Sequence, residues 1–206
     1  ATSLPARGRN RNPAIADRPE SRNLPGDTRL YVTAGTVSPV KNQIWLAELL
    51  ADRDGFTWYV CGDETAYPDY VRRFESTCGD DRFSDRVVRM GPLEHLDLYA
   101  LLSRADAYLQ PSTFESFGMA VAEAASLGAP VVANDVGGVA EAIGEFEGAH
   151  LCSVGDRRCW NEALDRIESG ALAPAGPMPM REWSKVAAEF KAQVEVLVAG
   201  ATSRSS

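Results

Sequence analysis

Two glutamates, Glu115 and Glu123, stand eight positions apart in a segment that is otherwise small and apolar, STFESFGMAVAEAASLGAP at residues 112–130. Met119 and Ala120 precede Glu123 by one helical turn, so its surroundings have the composition of a packed helix. An ionised carboxylate is costly there unless polar groups meet it. A vicinal diol offers two hydroxyl donors to the two carboxylate oxygens, so this pattern favours a site for a sugar.

The residues between the glutamates predict an anion site. PSTFESFG, 111–118, leaves a predicted strand and enters a predicted helix near Phe117 or Gly118. The backbone N–H groups of a first helical turn attract anions, and Gly118 has no side chain to block a close approach. Glu115 lies before the helix, where it can hold a second hydroxylated group. These positions predict a ligand with a phosphate between two polyols, which is the shape of a nucleotide sugar.

Composition limits the class of protein. The 206 residues are 45% hydrophobic and carry a net charge of −8, which suits a folded chain and argues against nucleic acid or an anionic membrane as a partner. No apolar stretch is long enough for a membrane-spanning helix, and the first twenty residues lack the apolar centre of a signal peptide. We therefore expect a cytoplasmic protein with no integral membrane segment.

Several common sites are not predicted. Cys61, Cys78, Cys152 and Cys159 form no CxxC pair and the chain has two histidines, so we expect no zinc site. Cys61 and Cys152 lie in predicted strands and are expected to be buried, reduced thiols. The sequence contains no GxG, GxxxxGK or GxSxG, which argues against a dinucleotide fingerprint, a P-loop and an α/β-hydrolase.

From residue 29 onward, short apolar segments alternate with segments of helical periodicity. The predicted strands are 29–35, 57–62, 86–91, 107–111, 130–134 and 150–154, and the predicted helices are 41–53, 67–79, 95–105, 117–128, 138–144, 157–170 and 181–200. This alternation predicts an α/β fold with a parallel sheet of about six strands and helices on both faces. Ligands of such sheets bind at the carboxyl ends of the strands. Residues 1–28 are predicted to be a flexible arm or interdomain linker, 29–200 a nucleotide-sugar-binding domain, and 201–206 a disordered tail.

Several segments together resemble the retaining GT-B glycosyltransferases of family 4. The two glutamates resemble its Glu-x7-Glu motif, TAGTVSPVKNQIWLAELLA its GRLxxxKG segment, and VVRMGPLEHLDLYALLSRADAYLQPSTFESFGMAVAEAASLGAPVVANDVGGVAEAI its core. HLCSVGD and REWSKVAAEF resemble a later strand and the closing helix. The resemblance implies the Rossmann-like, C-terminal half of a GT-B fold. This half binds a nucleotide-sugar donor, a UDP- or GDP-sugar, while an N-terminal domain or subunit absent from this chain binds the acceptor.

The resemblance also implies roles for individual residues in a retaining transfer of a hexose-type sugar without a metal or other cofactor. Glu123 would hold the ribose hydroxyls, Glu115 would contact the donor sugar as the catalytic carboxylate, and Lys41 would neutralise the pyrophosphate. The main chain at 89–90, after the third strand, would pair with the base, and that at 117–119 would meet the sugar or the pyrophosphate. The full donor-binding set is Gly35, Thr36, Lys41, Gly62, Arg89, Met90, Glu115, Phe117, Gly118, Met119 and Glu123.

Two positions depart from the family pattern. Thr36 stands where the family has an arginine, and Asn42 stands where it has the glycine after the lysine. One cation, Lys41, thus remains for a diphosphate that usually meets two. This leaves open a non-catalytic nucleotide-binding or assembly module derived from such an enzyme, and also a GT-B-like epimerase or phosphorylase. We expect the chain alone to bind a donor without transferring sugar, and the absent domain to provide any contact with a membrane surface.

Overall fold

The computed structural model describes residues 28–79, 83, 86–172 and 178. Its strands are β1 (Arg29–Ala34), β2 (Phe56–Cys61), β3 (Val87–Gly91), β4 (Ala107–Gln110), β5 (Val131–Asn134) and β6 (Ala149–Cys152). Its helices are α1 (Gln43–Leu50), α2 (Pro68–Cys78), α3 (His95–Leu102), α4 (Met119–Ser126), α5 (Val139–Ile143) and α6 (Arg157–Glu168). Each element overlaps a segment predicted from the sequence, and β2 and β6 each begin one residue earlier than predicted. Apart from residue 28, the predicted arm, together with the helix 181–200 and the tail 201–206, lies outside the described residues.

The six strands form one parallel sheet in the order β3-β2-β1-β4-β5-β6. The order reverses between β1 and β4, which pair through Tyr31 with Ala107 and Val32 with Tyr108. Connections from these two strands leave in opposite directions, so a crevice opens at their carboxyl ends.

Side chains of the strands alternate between two apolar cores, one on each face of the sheet. One core joins the sheet to α1, α2 and α6 and includes Trp58, Phe74 and Trp160. The other joins it to α3, α4 and α5 and includes Tyr108 and Val121. All five side chains are fully buried, and burial of a large apolar side chain contributes roughly 1.5–3 kcal/mol. The predicted Rossmann-like sheet with helices on both faces is confirmed.

The two loops at the reversal point are joined through their main chains. One is the β1–α1 loop, residues 35–42, and the other is the β4–α4 loop, residues 111–118. The Thr113 N–H donates to the carbonyl oxygen of Val40 at 2.8 Å. The bond fixes the distance between the two walls of the crevice.

Two glycines allow the main chains of neighbouring loops to come into direct contact. At Gly62, directly after β2, a Cβ would lie 2.0 Å from the carbonyl oxygen of Gly35. At Gly137, between β5 and α5, a Cβ would lie 1.6 Å from the carbonyl oxygen of Glu115. Any side chain at these positions would displace the backbone at the reversal point.

The expectation of a reduced Cys152 is wrong. Cys152, at the end of β6, forms a disulfide with Cys159 in the first turn of α6, and their Cα atoms lie 5.7 Å apart. The chain reverses between β6 and α6, which brings two cysteines seven positions apart into contact. Cys61, by contrast, is a buried free thiol as expected, and burial raises its pKa to about 12.

In the described part of the chain, no helix combines the length and the hydropathy that crossing a bilayer would require.

The close approach at Gly137 predicts that Gly137→Ala destabilises the protein far more than Gly55→Ala. Both glycines have positive φ, 56° and 69°, so either alanine costs roughly 1–2 kcal/mol in backbone energy. Gly55 has no atom within 4 Å of a built Cβ, whereas Gly137→Ala must also push back the Glu115 main chain, adding roughly 1–3 kcal/mol. Urea unfolding of both variants measures the difference, and equal losses would contradict the packing described here.

Candidate functional site at the carboxyl edge of the sheet

Lys41 and Glu115 meet across the crevice. Lys41 Nζ lies 2.5 Å from Glu115 Oε1, and the two side chains are 23% and 12% exposed. Gln110, the last residue of β4, donates from Nε2 to the same carboxylate oxygen at 2.8 Å. The carboxylate therefore has a cation and an amide as partners, which a largely buried charge requires.

The hydroxyl of Tyr108 orients the side-chain amide of Gln110. This hydroxyl donates to Gln110 Oε1 at 2.6 Å, and the carbonyl oxygen of Ala34 lies 3.2 Å away. Burial raises the pKa of Tyr108, and the carboxylates of Glu115 and Glu123 raise it further. The hydroxyl consequently stays protonated, and it fixes the Gln110 amide with its N–H group toward Glu115.

Gln43 braces the loop that carries Lys41. The side chain is fully buried, accepts from the Ser38 N–H at 3.2 Å, and donates to the carbonyl oxygen of Thr36 at 3.1 Å. Asn42 has a φ of 57°, a left-handed conformation that asparagine tolerates better than most residues. Asn42 thus adopts a left-handed conformation that a glycine at this position would adopt readily. Thr36, by contrast, is uncharged, so the loop contains no second cation beside Lys41.

Asn134 holds the loop that carries Glu115 in a similar way. Asn134, at the end of β5, donates from Nδ2 to the carbonyl oxygens of Pro111 and Ser112 at 2.8 and 3.0 Å. Its Oδ1 accepts from the indole N–H of Trp160 at 2.9 Å. The loop is therefore tied to β5 and to α6 as well as to the Lys41 loop.

The start of α4 faces the crevice without a side-chain cap. Gly118 is the residue before the helix and has a φ of 81°, and no side chain caps the first turn. Phe117 and Met119, on either side of it, are 40% and 56% exposed. The first-turn N–H groups of an uncapped helix can donate to an anion.

Glu123 is half-buried in the middle of α4. The hydroxyl of Tyr99, on α3, donates to Glu123 Oε1 at 3.2 Å. Burial raises the pKa of Tyr99, and the neighbouring carboxylate raises it further. One polar partner for this carboxylate is therefore a side chain of the protein itself, and its acceptor capacity exceeds what one hydroxyl uses.

Arg89 and Met90 lie apart from this group. Both are within β3, not after it as expected, and β3 is separated from β1 by β2. The Arg89 guanidinium pairs with Glu64 and, at 2.5 Å, with Glu75. Its side chain is thus committed to structural ion pairs, which leaves the main chain as the group a ligand could meet.

Sequence reasoning missed the polar residues that hold the site in place. Gln43, Gln110, Tyr99 and Tyr108 received no predicted role, although each contacts a predicted loop or carboxylate. The signal for Gln110 was present, because a polar residue ends an otherwise apolar strand, AYLQ. The other three look like ordinary helix or strand residues in the sequence.

One group of side chains in the described ranges has the chemistry to hold a metal. His150, Cys152 and Cys159 place a nitrogen and two sulfur atoms within 4.8 Å of one another. The two sulfurs are bonded to each other, so a metal could enter only after reduction.

Known proteins resemble this chain both in sequence and in fold. D-inositol 3-phosphate glycosyltransferase of Mycobacterium tuberculosis is 32% identical over 171 residues, which cover 81% of this chain and 35% of the relative. Solved HepE of Anabaena, in complex with UDP and glucose, superposes with a TM-score of 0.64 at 25% identity, covering 72% of this chain and 41% of that one. Sucrose-phosphate synthase of Thermosynechococcus elongatus is similar in fold, with a TM-score of 0.66 at 24% identity over 87% of this chain and 48% of that chain.

The chain spans about a third of the length of the curated relative. The fold of the two solved structures agrees with the sheet described above. A model of the glycosyl transferases group 1 family matches residues 15–181, which include both crevice loops. The chain therefore belongs to the glycosyl transferases group 1 family.

Proposed function

We propose that this chain is the donor-binding, C-terminal domain of a retaining family 4 glycosyltransferase. The observation that carries the proposal is the Lys41–Glu115 pair, a cation and a carboxylate that meet where the strand order reverses. A nucleotide sugar presents the matching groups, because its diphosphate is anionic and its sugar carries hydroxyl donors. HepE was solved with UDP and glucose, which supports a uridine nucleotide as the first ligand to test.

Binding of the diphosphate would redistribute the Lys41–Glu115 pair. The ammonium of Lys41 turns toward the diphosphate, and Glu115 then accepts hydroxyls of the donor sugar while Gln110 keeps its amide bond. Each charge-assisted hydrogen bond of this kind contributes roughly 1.5–3 kcal/mol. Because Lys41 is the one cation placed in the crevice loops 35–42 and 111–118, the proposal gives the uncapped start of α4 the remaining phosphate contacts.

The nucleoside would lie along α4 toward β3. Glu123, with one oxygen engaged by Tyr99, has acceptor capacity left for the two ribose hydroxyls. The main chain of Arg89 and Met90 would pair with the base. This arrangement uses no resident metal ion, since Lys41 and the helix start supply the positive field.

The acceptor would come from a domain or subunit outside this chain. Four exposed apolar side chains lie in or directly after the two crevice loops, namely Val40, Phe114, Phe117 and Met119, and a second domain would cover them. In the proposed reaction the acceptor oxygen bonds to the anomeric carbon on the face from which the diphosphate leaves. The departing phosphate oxygen takes the acceptor proton, so the configuration is retained and a hexose-type sugar is transferred. Cytoplasmic location stays a prediction.

The ribose contact predicts that Glu123→Gln weakens binding of UDP about tenfold. The effect should be smaller with 2′-deoxy-UDP, because one of the two hydroxyls that meet the carboxylate is then missing. Isothermal titration calorimetry with both ligands measures this, with Glu141→Gln, an exposed glutamate on α5, as the control. An equal loss of affinity for both ligands would show that Glu123 does not bind the ribose hydroxyls.

The phosphate contact predicts that Lys41→Met weakens UDP about tenfold or more and changes uridine binding little. Arg73→Met is the control, because it removes one positive charge from an exposed position on α2. The double variant Lys41→Met/Glu115→Gln shows whether an unpaired Glu115 contributes to the loss. If wild-type protein binds neither UDP, GDP nor their sugars, the alternative of a non-catalytic module that has lost its donor site is favoured instead.

The proposed role as a donor-binding half predicts that this chain alone transfers no sugar. Saturating UDP-sugar at about 100 times Kd should raise the free energy of unfolding by ~2.7 kcal/mol, yet release no UDP in the presence of sugar acceptors. A coupled assay for UDP release, run beside thermal unfolding of the same sample, checks both statements. Transfer well above the hydrolysis background would contradict the assignment of this chain to the donor half.

A further inference from the structure

The disulfide between Cys152 and Cys159 joins two sulfurs that differ in access to solvent. Cys152 is 2% exposed at the end of β6. Cys159 is half-buried and is the third residue of α6. Cys159 is therefore the more accessible of the two residues to an external thiol in the folded protein.

The surroundings of Cys159 favour a thiolate at this position. His150 Nε2 lies 3.4 Å from Cys159 Sγ, and Arg166 Nη1 lies 3.1 Å from His150 Nδ1. A guanidinium can only donate, so Nδ1 accepts and the neutral ring carries its proton on Nε2, facing the sulfur. The first turn of α6 adds a positive dipole end, which lowers thiol pKa values in other proteins.

Two carboxylates near Cys159 act against the groups that favour a thiolate there. Asp156 caps α6 by accepting from the Cys159 N–H at 3.0 Å, and Glu162 lies one turn further along the helix. Glu162 is paired with Arg158 at 2.8 Å. One carboxylate is engaged by the helix N–H and the other by an arginine. The imidazole Nε2 is then the polar atom nearest the sulfur, at 3.4 Å, and the carbonyl oxygen of Leu151 lies 3.7 Å from the same sulfur.

We propose that Cys152–Cys159 is a thiol–disulfide exchange site in which Cys159 is the sulfur that reacts with an external dithiol. One thiolate of the dithiol attacks Cys159 Sγ, the S–S bond breaks, and its electron pair passes to Cys152 Sγ. The second thiol of the dithiol gives its proton to Cys152 Sγ and becomes a thiolate. This thiolate attacks the dithiol's own sulfur in the mixed disulfide, which releases Cys159 as a thiolate that accepts from His150 Nε2–H and leaves the dithiol oxidised to a disulfide. Two electrons reach the protein, and the imidazole keeps its proton throughout.

The exchange has a defined place in the fold. Cys159 precedes Trp160, whose indole N–H binds Asn134, and Asn134 holds the main chain of the Glu115 loop. Cys159 is therefore adjacent in sequence to Trp160, which helps to hold the Glu115 loop through Asn134. The exchange chemistry itself does not depend on the proposed glycosyltransferase function.

The test compares reaction rates of individual cysteines in the folded, full-length chain. The oxidised protein is treated with dithiothreitol without denaturant, samples are alkylated with iodoacetamide at intervals, and the peptides are identified by mass spectrometry. We expect both cysteines to become alkylated, Cys159 about tenfold faster than Cys152. Cys61 and Cys78 lie on other peptides and serve as internal references.

Matched variants identify the exchanging sulfur. With glutathione disulfide, Cys152→Ser should form a mixed disulfide at Cys159, while Cys159→Ser should form almost none at Cys152. His150→Gln should slow the reaction at Cys159, and Arg73→Gln, at an exposed arginine on α2, should leave it unchanged. Thermal unfolding shows whether each variant is folded, and the wild-type experiment stands without them.

Three results would overturn the proposal. The disulfide could be reduced only in denaturant, Cys152 could react first, or the reduced protein could bind one Zn²⁺ and become protected from alkylation at both cysteines. The last result would assign the cluster of His150, Cys152 and Cys159 to metal binding instead of thiol exchange.

Discussion

The pairing of β1 with β4 is the contact on which the crevice depends, because it brings together two loops from distant parts of the sequence. Lys41 and Glu115 are 74 positions apart, yet their charged atoms lie 2.5 Å apart. Each charge is mostly shielded from water, so neither would be stable there without the other and without the amide of Gln110. The reversal of strand order thus determines both where a ligand fits and which charges meet it.

Side-chain amides, more than regular secondary structure, hold the loops of this crevice. Gln43, Gln110 and Asn134 are buried, and each accepts one hydrogen bond and donates at least one other. An amide can do both because it carries an acceptor oxygen and a donor nitrogen. Asn134 connects Trp160 of α6 to the loop of Glu115, so the packing of a distant helix contributes to the position of a crevice carboxylate.

Much of the fold could be predicted because each strand is a short apolar segment followed by a helical period. The positions of Lys41 and Glu115 at strand ends followed from the same pattern. Their ion pair could not be predicted, because it depends on side-chain directions across the sheet. The disulfide of Cys152 and Cys159 was missed for a similar reason, since two cysteines seven positions apart meet only if the chain reverses between them.

The separation of the crevice residues along the chain also sets an order for their assembly during synthesis. The first half of the sheet, β1 to β3, can pair while later residues are still within the ribosome, but β4 must emerge before the Lys41 loop gains its partner. Closing so long a loop is slow compared with forming helices. The ammonium of Lys41 therefore gains its buried carboxylate partner only when β4 has joined β1, which is the step that unites the two halves of the sheet.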